Sequence, residues 1–217
     1  MMEDIKFLIK NPRLAFKTVA TARQNVKFYN HISEIIFSQP YYWLYSQAKP
    51  KTILIDIGAF IGDTTAYFAM NPNIDKVIAY EPHPNTFKIL SENIKAMPPQ
   101  ISSKIILNNL AITDEEGYVS SNMKEVTGTN KVHKSKSGVR STTLESELQG
   151  LTNVIIKSDC EGGEYQIFKN MSGLQNVYAI QMEYHKGYLQ LEEVLGRAFN
   201  CHHNSEGDLG YLTASKG

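Results

Sequence analysis

The sequence predicts an α/β fold: a doubly wound, mostly parallel sheet of about seven strands, closed by a C-terminal antiparallel hairpin strand and preceded by helices. Three observations point to it. Short apolar runs rich in Ile, Val and Leu recur along the chain, as strands buried on both faces do. Segments of helical period separate them, which is how parallel strands are connected. Two of the runs, 52–58 and 153–159, end in small and acidic residues, as a core strand does when it delivers a binding loop at its carboxyl end.

Residues 1–50 read as an N-terminal helical cap, broken at Pro12 and Pro40 and ending at Pro50. From Ile5 to Ser33 its charges are all basic and its apolar residues fall at loosely helical spacing. Such a helix packs on the main domain with its basic face in water, or lies on an anionic membrane surface; the first arrangement is the commoner. The aromatic cluster Tyr41, Tyr42, Trp43 and Tyr45 suits a core or an interface equally. Residues 51–217 carry the alternation. A strand at 52–58 leads to a helix opening near Gly62, and a strand at 76–82 to a helix from Asn85 to Ala96, stopped by Pro98 and Pro99. A strand at 104–112 follows. The polar stretch 123–141, with Gly128 and Gly138, reads as a loop long enough to serve as a lid or to be disordered. Then come a short helix at 144–148, a strand at 153–159, a helix at 164–170, a strand at 177–184 and a helix at 188–198. Runs at 200–204 and 210–214 flank Ser205-Glu206-Gly207-Asp208 as a closing hairpin.

The totals narrow the function. A chain of 217 residues makes one ordinary domain with an extra element. Its 22 basic and 22 acidic residues cancel, so no global field argues for a nucleic acid partner. Cys160 and Cys201 do not form a disulfide framework, and no apolar run approaches the ~20 residues of a membrane span. With no secretory leader visible, a cytoplasmic setting is expected. Nothing in the sequence indicates an oligomeric state.

Gly58 and Gly62 bracket the turn between the first strand and its helix, where a ligand can approach the main chain. Glu81, ending the second strand, is placed to take the hydroxyls of a ribose. A dinucleotide fingerprint would read Gly-x-Gly-x-x-Gly, but Phe60 and Asp63 stand where the second and third glycines would be. A pyrophosphate would meet a bulky side chain and a carboxylate there. Asp56 and Asp63 instead suit a ligand with an amine and a positive charge, properties of S-adenosylmethionine.

These residues carry a family resemblance. Asp56-Ile-Gly-Ala-Phe-Ile-Gly-Asp-Thr64, Ala79-Tyr-Glu-Pro-His-Pro-Asn-Thr-Phe87, Asn109-Leu-Ala-Ile-Thr113 and Lys157-Ser-Asp-Cys-Glu-Gly-Gly-Glu164 resemble the FkbM family of S-adenosylmethionine-dependent methyltransferases, which have a Rossmann-like class I fold. The resemblance covers about residues 52–186. It implies that Asp56, Gly58, Ala59 and Gly62, with Asp63 and Thr64 opening the helix, bind the methionine part of the cofactor. It places Glu81 on the ribose, Pro82 and His83 near the adenine, and Asn109 to Ala111 at the adenine's edge. Departures are Phe60, where the family commonly has Asn, Glu145, where it has Asp, and Cys160-Glu-Gly-Gly163, where it often has Val-Glu-Gly-Ala. Oxygen, on a small molecule or glycan, is the acceptor the resemblance implies.

The chemistry is expected where Asp159, Glu161, Glu164, Glu183 and His185 collect at neighbouring strand ends. Asp159, Glu161 and His185 are the candidate catalytic residues, with His185 as base because its ordinary pKa lies near neutrality. The donors Asp159, Glu161, Glu183 and His185 also suit a divalent metal, which would acidify an acceptor hydroxyl directly. In a structural reading, Glu183 pairs with Lys157 across strands. The alternatives to a methyltransferase are a cofactor-binding domain without catalysis and an NAD(P)-dependent oxidoreductase, the latter opposed by Phe60 and Asp63.

Overall fold

The computed structural model describes residues 40–120, 132–169 and 173–217. The basic stretch at 5–33, most of the expected cap, and the loop at 123–131 lie outside them. A seven-stranded sheet forms the centre, in the order β10-β11-β9-β8-β1-β2-β3. Its strands are β1 (Thr52–Ile57), β2 (Ile74–Tyr80), β3 (Ile105–Asn108), β8 (Val154–Ser158), β9 (Val177–Tyr184), β10 (Asn200–His203) and β11 (Gly210–Ser215). Within it β1 is parallel to β2 and β8, and β8 to β9, while β11 runs antiparallel to β9. The chain first builds outward from β1 to β3, then returns to the other side of β1 with β8. The carboxyl ends of β1 and β8 therefore flank the switch point, where open α/β sheets hold their ligands.

Alternation along the central strands feeds two cores. Leu54, Ile155 and Ala179 face a cluster that includes Phe68, Leu90 and Ile94. Ile55, Ile156 and Ile180 face the opposite cluster, with Leu144, Leu191 and Leu195. Both faces are covered by helices, so these strands are mostly apolar. Helix α2 (Asp63–Ala69) and helix α3 (Pro84–Lys95) cover the first face; α5 (Leu144–Leu148) and α7 (Leu189–Leu195) cover the second. Helix α1 (Tyr42–Gln47) lies against β9: the Gln181 side chain accepts from Leu44 N at 3.2 Å and donates to the Pro40 carbonyl at 2.6 Å. Two single turns, α4 (Pro99–Ser102) and α6 (Glu164–Ile167), complete the α-helices among the described residues. Among the described residues no helix is long and apolar enough to cross a membrane.

A second sheet corrects the reading of 104–112 as one strand and of 132–141 as loop. It has the order β4-β7-β5-β6, with β4 at Ala111–Thr113, β5 at Gly117–Ser120, β6 at His133–Ser135 and β7 at Val139–Thr143. The chain leaves β3 at Asn109, whose side-chain amide donates to the Glu81 and Pro82 carbonyls at 2.8 and 3.0 Å. That anchor turns the backbone out of the main sheet. The new strands are three to five residues long and rich in Ser and Thr. Their ladder hydrogen bonds leave no apolar alternation to read.

Candidate active site

The turn after β1 is shaped by close approach. Gly58 has φ of +76°, and a Cβ there would stand 1.9 Å from the Asp159 carbonyl oxygen. Gly62, at φ +92°, leads into α2. Between them Phe60 is held at φ +48°, a left-handed conformation that costs an ordinary L-residue about 1–2 kcal/mol. Most N–H groups of this turn are already used. Gly58 and Ala59 donate to the Tyr80 carbonyl at 3.0 Å, Phe60 to Glu81 Oε2 at 3.0 Å, and Gly62 to the Ala59 carbonyl at 2.8 Å. A pyrophosphate cradle needs such groups free. The geometry agrees with the sequence in disfavouring a dinucleotide.

Glu81 is nearly buried, and its other oxygen accepts from His83 N at 2.8 Å. Burial pushes its carboxyl up to about 7 against the opposing pull of those two N–H groups. It lines a cavity of about 220 Å³ together with Gly58, Pro82, Ala111, Asp159 and Glu161. Pro82 and Leu110 also border a wider groove of about 580 Å³, lined by His83, Asn109 and Arg140, beneath the second sheet.

Several expected cofactor residues serve the scaffold. Asp56 is fully buried and lines neither cavity. Its Oδ2 accepts from the Thr64 and Thr65 hydroxyls at 3.2 and 2.6 Å, and its Oδ1 lies 3.2 Å from Lys157 Nζ. Ala59, Gly62, Asp63 and Thr64 likewise do not line either cavity; Asp63 Oδ1 accepts from Thr64 N at 2.8 Å. Lys157, suggested by sequence as a partner for Glu183, pairs instead with Asp56, and its ammonium donates to the Gly58 carbonyl at 2.8 Å. Burial works against its charge, but Asp56 and Asp159 hold its pKa above the usual lysine value.

Next to Asp159 and Glu161 the strand ends do bring the titratable groups together, with His185, Glu164 and Glu183 behind the cavity lining. His185 Nε2 lies 3.5 Å from Glu161 Oε2, and Nδ1 lies 3.5 Å from Glu164 Oε1. Glu164, chiefly through hydrogen bonding, raises the imidazole's pKa. Glu164 itself is fully buried; burial opposes its charge, but His185 and the Cys160 amide hold it below the usual range. Glu161 adopts φ of +55°, a second left-handed non-glycine residue on the cavity wall. Glu183 is pushed up to about 7 by burial and by the neighbouring Asp159 carboxylate. One donor atom each from Asp159, Glu161 and His185 falls within 4.8 Å of the others. Asp159 Oδ2 also accepts from the Tyr41 hydroxyl at 3.1 Å, a contact that sequence reasoning missed because it read the 41–45 cluster as a core or an interface. The Cys160 thiol is pushed well up by burial and by Glu164, which leaves it an inert part of the wall.

Comparisons with known proteins identify the family and the fold. A family profile described as the methyltransferase FkbM domain matches residues 56–200. A curated relative, hexuronic acid methyltransferase AglP of Haloferax volcanii, is 29% identical over 151 residues, 66% of this chain and 60% of that protein. The chain thus spans less than two thirds of that relative's length. Among solved structures, the methyltransferase FkbM from Methylobacillus flagellatus KT aligns with a TM-score of 0.50 at 12% identity, over 96% of this chain and 59% of that one. The methyltransferase domain of bacterial-CtHen1-C aligns with a TM-score of 0.52 at 8% identity, over 86% and 99%. These two show the shared Rossmann-like fold.

Proposed function

Because the chain belongs to the methyltransferase FkbM domain family, we propose that it binds S-adenosylmethionine in the cavity between Gly58 and Glu161 and methylates a hydroxyl of a small molecule or glycan. The observation that carries this reading is the cavity itself. Its lining joins Gly58 and Glu81 to Asp159 and Glu161, and the space opens at the switch point of the sheet. The residues present fit the cofactor. Glu81 offers a carboxylate for paired ribose hydroxyls, Pro82 and Ala111 border the cavity and His83 and Asn109 the adjoining groove where a flat base can lie, and a glycine turn with most of its N–H groups taken matches a ligand without phosphate.

When bound, the cofactor supplies an electrophilic methyl group. The chain's residues then orient the acceptor, keep water out and remove the hydroxyl proton. Asp159 and Glu161 are placed to hold acceptor hydroxyls, and His185 to accept the proton in its neutral form. Its two carboxylate neighbours favour the imidazolium, so His185 becomes available as a base at higher pH than an ordinary imidazole. The relative's name directs the acceptor search to hexuronic acids. Transfer of labelled methyl from S-adenosylmethionine to uronic-acid glycosides and glycans tests the reading. Turnover lost in His185→Gln with cofactor binding retained supports it; a chain that binds the cofactor yet methylates no hydroxyl compound favours a binding domain.

A second arrangement has one specific observation behind it: the close approach of Asp159, Glu161 and His185 also suits a divalent cation, with Glu183 beside them. Loss of turnover on chelation, restored by Mg²⁺ or Mn²⁺, would select it over proton transfer to His185.

A further inference from the structure

Tyr41 lies outside the family-matched residues yet reaches the centre of the site. Its ring meets Tyr211 edge-on at 5.8 Å, with the Lys157 ammonium 5.7 Å from its centroid. The segment that carries it is fastened by amide side chains: Gln181 bonds to both Leu44 and Pro40, and Asn71 donates to the Tyr45 carbonyl at 2.9 Å. The phenol is therefore a fixed donor. Burial, reinforced by Asp159, keeps it protonated.

Its acceptor, Asp159, lines the same cavity as Glu81. Both oxygens of Glu81 already take main-chain N–H groups. A carboxylate attracts a cation according to distance, so its value depends on where it points. A neutral phenol can tether it without cancelling its charge, as a lysine or arginine in that place would. We propose that Tyr41 is a positioning residue: its hydroxyl fixes the Asp159 carboxylate on the cavity wall so that it faces the cationic end of the methyl donor. The inference rests on the S-adenosylmethionine reading of the cavity, and it makes the segment before β1 a working part of the site.

The test is calorimetry on the full chain with three ligands that share the adenosine. S-adenosylmethionine carries a sulfonium and an ammonium, S-adenosylhomocysteine the ammonium alone, and 5′-methylthioadenosine neither. Tyr41→Phe keeps the ring and loses the hydroxyl. Affinity for the first two is expected to fall about tenfold, the range of a hydrogen bond to a charged group, and affinity for the third to stay within about twofold. Asp159→Asn alone should give the same graded pattern, and Tyr41→Phe should add nothing to it. This second variant decides the matter if Tyr41→Phe loses its cooperative melt. Equal losses for all three ligands, no loss, or additive losses in the double variant would overturn the inference. If the wild-type chain binds none of the three, the cofactor reading fails and takes this inference with it.

Discussion

Lys157 and Asp56 are register partners on adjacent parallel strands, and their side chains meet at 3.2 Å inside the sheet. The pair does not face the cavity; it holds the turn that does. Lys157 also donates to the Gly58 carbonyl, and Asp56 takes two hydroxyls from the first turn of α2. One buried charge pair thus ties β8, the glycine turn and α2 together.

Breaking that pair from one side leaves a buried charge uncompensated. Lys157→Met is expected to destabilise the chain by about 3–5 kcal/mol, read as a shift of the urea midpoint. A near-neutral result would mean that the interior accommodates Asp56 without its partner.

Phe60 offers the opposite sign. Asparagine tolerates left-handed backbone far better than phenylalanine does, and Phe60 is only partly buried. Phe60→Asn is expected to raise stability by roughly 1 kcal/mol in thermal or urea unfolding. A loss of stability instead would show that packing of the ring outweighs the backbone strain.

Glu81 links pH to stability and to binding in opposite directions. Its folded pKa of about 7 stands above the ordinary carboxyl value. Folding therefore favours the protonated form. That contribution is complete below the unfolded pKa of about 4.3 and is lost as pH rises through the folded value. Glu183, also pushed up to about 7, acts with the same sign. The ligand-free chain should lose on the order of 2–3 kcal/mol from Glu81 between pH 5 and pH 8. Ribose hydroxyls need the ionised carboxylate, so affinity for S-adenosylhomocysteine should rise over the same interval. Flat profiles in both measurements would contradict the burial of a titrating Glu81.

The central strands were legible because burial on both faces writes them as apolar runs; β9 falls at 177–184 as expected. Glu81 and Gly58 were legible for the same reason, since each lies directly after the end of such a run. The second sheet was not, because strands such as His133–Ser135 have no apolar face. Lys157 carried a visible signal, a lysine inside Val-Ile-Ile-Lys-Ser, but the identity of its partner depends on strand order. Asp56 was read as a cofactor residue, and its pairing with Lys157 was not foreseen. Tyr41 is separated from Asp159 by 118 residues, and no local pattern connects them.

The most direct test of the cofactor site is calorimetry with S-adenosylhomocysteine on the wild-type chain and on Glu81→Gln, with NAD as the competing ligand. One site is expected on the wild type, with at least about tenfold weaker binding by the variant and no displacement by NAD. Tight NAD binding, or S-adenosylhomocysteine binding that Glu81→Gln leaves unchanged, would contradict the assignment of this cavity to S-adenosylmethionine.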